Sequence, residues 1–446
     1  MASAAEQLAG SINFGALSKA KELKKKIYFT LAALIVYRLG TYIPLPGIDS
    51  QVLDDIFQQN AGGILGMFDM FSGGALSRMT IFALNIMPYI SASIIIQLMT
   101  TVSPHLATLK KDGDSGRKKI IQYTRYGTVL LAAVQGLGIA SGLENLTSSS
   151  GPAVMEPGLM FKFTTVVSLT GGTVFLMWLG EQITARGIGN GISLIIMAGI
   201  VANLPVSLVS TLELGKTGAL SGLFIMFLLL MSVAVIAFIV FVERAQRRLL
   251  IQYPKRQVGM KVFQGDTNHL PLKINTAGVI PPIFASSILL LPITAMSFNA
   301  GSGPSWLLDV TSLLGRGQPL YMALYVGAIM FFAFFYTSIV FNPEDTADNL
   351  QKNNGFIPGI RPGKNTALYI DHVLTRLTVV GALYLSLVCI LPEILIAKYA
   401  VPFYFGGTSL LIVVNVTMDT VAQIHSHLIA QQYEGLIKKS KLRGRI

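Results

Sequence analysis

The chain has 446 residues, 52% of them hydrophobic and only 13% charged, with a mean hydropathy of +0.60. Soluble domains carry about 25% charged residues, so a water-surrounded globule is excluded and lipid is the solvent for most of the surface. The single cysteine, Cys389, rules out an intrachain disulfide and a thiolate zinc site, while the net charge of +12 fits either nucleic-acid binding or the basic cytoplasmic loops of a membrane protein.

Ten apolar runs are long enough to cross a bilayer as helices, which takes about 20 residues each. They lie at 27–45, 77–101, 120–142, 158–180, 187–209, 219–242, 275–297, 319–341, 372–392 and 403–424. The first follows Lys24, Lys25 and Lys26 like a signal peptide, but "TYIPLPGID" offers no small-residue cleavage site, so it reads as a retained span. Between the first two runs sits "GGILGMFDMFSGG" (62–74), apolar, too short to span and closed by a glycine pair at each end. Within the second, Ile86 and Ile90 are one helical turn apart. Ile192 and Ile196 repeat that spacing in the fifth. Such pairs suit a pore lining, or equally a stripe facing lipid or a neighbouring helix.

"RGIGNGIS" (186–193) lacks the lysine of a nucleotide-binding loop and follows an apolar helix, so it reads as a tight turn into the fifth span. The connection 243–274 alternates apolar and polar residues on both sides of "YPKRQVG", which predicts a protruding hairpin with Lys255, Arg256 and Lys261 at its tip. With 342–371 it forms a pair of long loops, suited to docking a partner or simply solvated. His425 and His427, two apart, do not share a helix face and make a poor metal pair.

Charge placement settles the orientation. Alternate connections hold 28 Lys and Arg on one side and five on the other, with Arg38 inside the first span. That bias puts both termini in the cytoplasm, supports an even number of spans and accounts for most of the net charge without nucleic acid. Ten spans divide about 210–218 into a half at 1–209 and a half at 219–424, followed by a tail at 425–446. Two five-span halves in series have opposite orientation, which is the geometry of an inverted repeat with a pathway between its halves. The fold expected is all-α and polytopic, with ten transmembrane helices in two inverted five-helix halves. The only acid inside a span is Asp419, near the end of the last. Coupled carriers need ionisable groups at depth, so an ion-coupled secondary transporter is the rival reading and a poor fit. No cofactor is expected.

"MFSGGALSR", "IFALNIMPYISASIIIQL", "QYTRYGT", "MWLGEQITARGIGNGIS", "NPEDTADNLQKNNGFIPGIRPG" and "PFYFGGTSLLIVV" resemble the SecY/Sec61-alpha family of protein-conducting channels, from about the first span to the last. The resemblance implies a passive channel in the bacterial inner membrane, not an enzyme, that passes unfolded preproteins across and releases transmembrane segments sideways between its second and seventh spans. Its constriction would be a ring of Ile86, Ile90, Ile192, Ile196, Ile283 and Ile412. Its plug would be the stretch containing Ile64, Leu65, Met67, Phe68, Met70 and Phe71, with Gly62, Gly63, Gly73 and Gly74 as hinges. Asn85 and Asn415 are polar where the family pattern leads one to expect small or aliphatic residues. Partner docking would fall on Lys255, Arg256, Lys261 and Arg361. The implied partners are the membrane subunits SecE and SecG, the motor ATPase SecA, the ribosome, preprotein signal sequences, membrane lipids, and accessory SecDF and YidC.

Overall fold

The computed structural model describes residues 21–49, 52–53, 69, 72–144, 147–148, 151–217, 221–254, 256–258, 261–263, 267–299, 318–399 and 407–443. The chain forms two compact units, Met1–Pro205 with Val416–Ile446, and Val206–Asn415. Among the described residues seven helices are long and apolar enough to cross a membrane, or eight if one sharply bent pair counts as a span. The chain is therefore a helical, polytopic membrane protein.

In the first unit, α1 (Lys21–Gly40) stops five residues before the expected end, where Pro44 and Pro46 follow. The second span departs most from expectation. Instead of a helix from 77, residues 73–86 form successive turns, and α2 (Met87–Val102) starts at a proline in its first turn. Met79 and Asn85 take left-handed backbone conformations, with φ of 44° and 49°, which no helix contains. Pro104 then opens α3 (Pro104–Lys111), bent 103° from α2. Next come α4 (Gly113–Glu144), a minimal two-stranded ribbon of β1 (Thr147–Ser148) and β2 (Gly151–Pro152), and α5 (Leu159–Arg186), which ends six residues later than expected.

The fifth span, α6 (Gly191–Lys216), contains Pro205 and runs through most of the expected 210–218 connection. Both α6 and α12 (Gly407–Arg443) contribute to each unit. The turn between α5 and α6 is tied to other parts of the first unit. The Ile188 amide donates to Thr30 Oγ1 at 3.1 Å and the Gly189 amide to Gln423 Oε1 at 2.9 Å, while Ile188 packs on Leu23. These bonds make "RGIGNGIS" a structural junction, as the tight-turn reading requires.

The second unit holds α7 (Gly222–Arg244), α8 (Ile280–Asn299), α9 (Pro319–Val340), α10 (Pro343–Lys352) and α11 (Lys364–Tyr399), the last interrupted by Pro392 but helical throughout. Between α7 and α8 the expected hairpin is present. β3 (Gln246–Gln252) pairs antiparallel with β6 (Thr267–Lys273) over seven residue pairs, and β4 (Arg256–Val258) pairs with β5 (Lys261–Phe263). The tail beyond 425 continues α12 to Arg443 rather than ending the helix at 424, consistent with its Leu, Lys and Gln content.

Candidate functional site: a folded-back segment, the isoleucines and a two-loop platform

The segment ahead of α2 is built from the carboxylate of Asp69. Its Oδ1 accepts from the Ser77 amide at 2.8 Å, the Leu76 amide at 3.1 Å and the Ser72 hydroxyl at 3.3 Å, while its backbone carbonyl accepts from the Gly74 amide at 3.0 Å. Burial raises the Asp69 carboxyl above its ordinary range, and the donors from Ser77, Ser72 and Leu76 oppose the rise. α1 holds the same turn from the side. Arg38 Nη1 donates to the Gly73 carbonyl at 2.8 Å, and the Tyr37 hydroxyl donates to the Ser72 carbonyl at 3.4 Å. Two guanidinium groups lie over the Tyr42 ring, Arg38 at 5.1 Å and Arg78 at 4.4 Å from its centre. α6 closes the remaining side. Gly73 has φ 69°, and a Cβ there would stand 2.9 Å from the Gly199 Cα, so only glycine fits. Phe82 is buried against Gly40, where any side chain would collide with its ring, and stacks between Tyr37 and Phe175. Asn85 is buried. It is suited to this place because asparagine tolerates the left-handed backbone better than most side chains.

Ile86 and Ile90 follow directly. Ile86 is the residue before the helix, with φ −94° and ψ 2°, and its carbonyl accepts from the Ile90 amide at 3.1 Å, so the two stay one turn apart. Both are buried. Ala92, two residues on, faces elsewhere: a Cβ on Gly127 of α4 would meet its methyl at 3.4 Å. On α6, Ile196 is buried and Ile192 half-buried, its Cγ1 close to Gly180 of α5. These four belong to the first unit and the other two to the second, where Ile283 is half-buried in the first turn of α8 and Ile412 is 1% exposed on α12. Asn415 is buried, its amide nitrogen without a hydrogen-bond partner among the described residues. Of the plug stretch only Asp69 and Ser72–Gly74 are described. Ile64, Leu65, Met67, Phe68, Met70, Phe71, Gly62 and Gly63 lie outside the described residues.

Two ion pairs join α4 to α5. Arg125 on α4 and Glu181 on α5 form a bidentate pair at 3.0 and 2.6 Å. Glu144 binds Lys162 at 2.9 Å at the opposite ends of the same helices, and that bond holds the Glu144 carboxyl below its usual range. Asp419 is exposed. Among the described residues no cluster of His, Cys, Asp or Glu could hold a metal, which includes the half-buried His425 and His427.

The two long loops of the second unit fuse into one platform. Leu249 and Leu272 from the hairpin pack with Ile357, Ile370 and Leu374. The edge of β3 is extended by a bridge between Gln252 and Phe356, with both bonds formed at 2.9 and 3.0 Å. Gly355 makes this approach possible, since a Cβ there would meet the Tyr253 ring at 3.1 Å and Ile251 at 3.2 Å. Arg361 is exposed in a turn between Gly359 and Gly363, both at positive φ, and its carbonyl accepts from Thr366 Oγ1 at 2.9 Å. Arg256 and Lys261 stand on the paired strands β4 and β5, while Lys255 lies outside the described residues. Sequence reasoning found the hairpin but missed Asp69, Tyr37 and the Arg125–Glu181 pair. The string "DMFSGG" carries a signal for the first, an aspartate before a serine and two glycines.

Residues 80–421 match the SecY family model. The chain is 57% identical over 424 residues to the protein translocase subunit SecY of Escherichia coli strain K12, covering 95% of this chain and 96% of that one. It is 55% identical over 433 residues to the same subunit of Vibrio cholerae serotype O1, covering 96% and 97%. Among solved structures it resembles "The structure of a protein conducting channel" with a TM-score of 0.67 at 17% identity, covering 90% of this chain and 92% of that chain. It also resembles "Sec61 in the Canine ribosome-channel complex from the endoplasmic reticulum" with a TM-score of 0.62 at 16% identity, again covering 90% and 92%. With a family model across three quarters of its length and relatives above half identity, this chain belongs to the SecY family.

Proposed function

We propose that this chain is the central protein-conducting subunit of a bacterial preprotein translocase. It passes unfolded preproteins across the cytoplasmic membrane and releases transmembrane segments sideways into the lipid. The observation that carries the reading is the broken second span. Backbone that is not helical is tolerated at membrane depth only where protein buries it or where it lines a cavity. Here residues 72–86 are folded back, mostly buried and held by side chains from α1. A continuous carrier helix needs no such feature. The apolar stretch 62–74 then serves as the plug, sealing by burial of side chains worth roughly 1.5–3 kcal/mol each, and the isoleucines at 86, 90, 192, 196, 283 and 412 serve as the constriction. An aliphatic waist resists wetting and holds no particular side chain of the passing polypeptide. A pair of five-span halves, hinged near 210–218, forms the channel, with both termini in the cytoplasm.

Energy comes from outside the chain in this reading: from SecA or a translating ribosome seated on Lys255, Arg256, Lys261 and Arg361. SecE and SecG complete the membrane complex, and SecDF and YidC act as accessories. Deleting residues 64–71 tests the core of the proposal. Export of a preprotein into proteoliposomes should persist, while ion conductance of the idle channel in planar bilayers rises. Export abolished with conductance unchanged would refute it.

A further inference from the structure

The hairpin is joined to the membrane helices by a buried polar contact. At its base the Ile274 amide donates to the Ala245 carbonyl at 3.2 Å, closing the ribbon between α7 and α8. Immediately outside that bond, Asn275 Nδ2 donates to Glu243 Oε1 at 2.6 Å and to the Gly278 carbonyl at 3.0 Å. Glu243 is 8% exposed and Asn275 4%. Glu243 is the last residue but one of α7, and Gly278, at φ 62°, stands two residues before α8. The side chain of Asn275 thus clips the end of one helix to the approach of the next.

A third helix fits against the same point. On α11 a Cβ at Gly381 would lie 2.9 Å from the Ile274 carbonyl and 3.4 Å from the Asn275 Cα, so the hairpin base rests directly on α11 backbone. One turn on, the Tyr384 ring meets Phe238 of α7 edge-on at 5.7 Å. A buried carboxylate is costly to keep unless its hydrogen bonds are satisfied, and this one is committed to an amide that belongs to the neighbouring segment. Removing either side chain loses a short buried hydrogen bond that runs from the end of α7 to the approach of α8.

We propose that Glu243 and Asn275 are positioning residues that make the hairpin and the first turn of α8 one mechanical piece. A partner pressing on the hairpin then moves α8 itself rather than flexing a loose ribbon. This rests on the reading that the hairpin docks an ATP-driven motor and that α8, the seventh span, is one of the two that part. The pair touches neither motor nor preprotein. Its part is to carry displacement from the platform to the membrane.

The test is preprotein export by purified channel complex in proteoliposomes, titrated with the motor ATPase. Asn275→Ala and Glu243→Ala should lower the maximal export rate about tenfold, the scale of one lost buried bond to a charged group, while the motor concentration giving half-maximal rate stays unchanged. Glu243→Gln keeps an acceptor oxygen of the same reach and should export at close to the wild-type maximum. Gly381→Ala pushes on the backbone of the hairpin base at Ile274 and Asn275 while leaving both side chains of the pair chemically intact, and should reproduce the loss, which keeps the test open if Asn275→Ala fails to fold. A wild-type maximum for Asn275→Ala or Gly381→Ala overturns the proposal. So does a shift confined to the half-maximal motor concentration, which would make this a docking residue, or a Glu243→Gln defect as deep as that of Glu243→Ala. Failure of the wild-type complex to export at all would instead refute the channel reading.

Discussion

Asp69 is a half-buried carboxylate with three donors on one oxygen. Replacing it by alanine strands the Leu76 and Ser77 amides and should destabilise the turn by about 1–3 kcal/mol. Asp69→Asn keeps the accepting oxygen and removes the titration. Burial raises the wild-type carboxyl above its ordinary value, so the folded turn holds its proton more tightly than the open chain does. Its stabilising contribution is full below the ordinary carboxylate value and is lost as pH rises through the raised one. Thermal unfolding of the detergent-solubilised protein at stepped pH should show wild type gaining on Asp69→Asn as the solution is acidified from neutrality. A difference that is flat with pH, or that moves against wild type in acid, would contradict the burial account. Asn85 shows what the sequence withheld at this scale. It reads as an unexpected polar residue beside the isoleucines, whereas the left-handed φ of 49° explains it as backbone chemistry, and only the fold reveals that φ.

Along single elements the apolar runs located the helices well, because their length is set by the bilayer and not by neighbours. Starts and ends were less legible. Second-span residues 77–86 are as hydrophobic as a helix, yet Phe82 fits a slot at Gly40 and the chain follows it, a tertiary effect that periodicity does not encode. The same element gives a test of the waist. Ile90 and Ala92 are both buried, but Ala92 packs on Gly127 of α4. Cysteine at 90 should therefore crosslink to a preprotein stalled in the channel, and cysteine at 92 should not. Ile90→Lys should favour opening and admit preproteins with poorly hydrophobic signals, since a buried unpaired charge costs on the order of several kcal/mol. Ile90→Leu should be nearly silent. Equal crosslinking at the two positions would return these isoleucines to ordinary packing.

For the whole molecule, family, membrane character and hairpin were legible from long specific strings, while the fusion of the two loops into one platform was not. That fusion depends on Gly355 and on a bridge between residues more than a hundred positions apart, Gln252 and Phe356. Arg361 stands exposed on the platform rather than buried in it, so Arg361→Glu should leave the channel folded and raise the motor concentration needed for half-maximal export. Normal export by Arg361→Glu at limiting motor would remove this residue from the docking surface.

The composition of the first unit bears on how the chain is made. Residues 416–446 belong with residues 1–205, and Gln423 supplies the acceptor for the Gly189 amide. During synthesis the earlier helices emerge without that partner and wait for the rest of the chain. The first unit is thus the first to enter the membrane and the last to be finished. Closing contacts between distant stretches of sequence is slow, so a nascent chain halted before residue 416 leaves the Gly189 amide without its Gln423 acceptor, with the Thr30 and Leu23 contacts left to hold the turn.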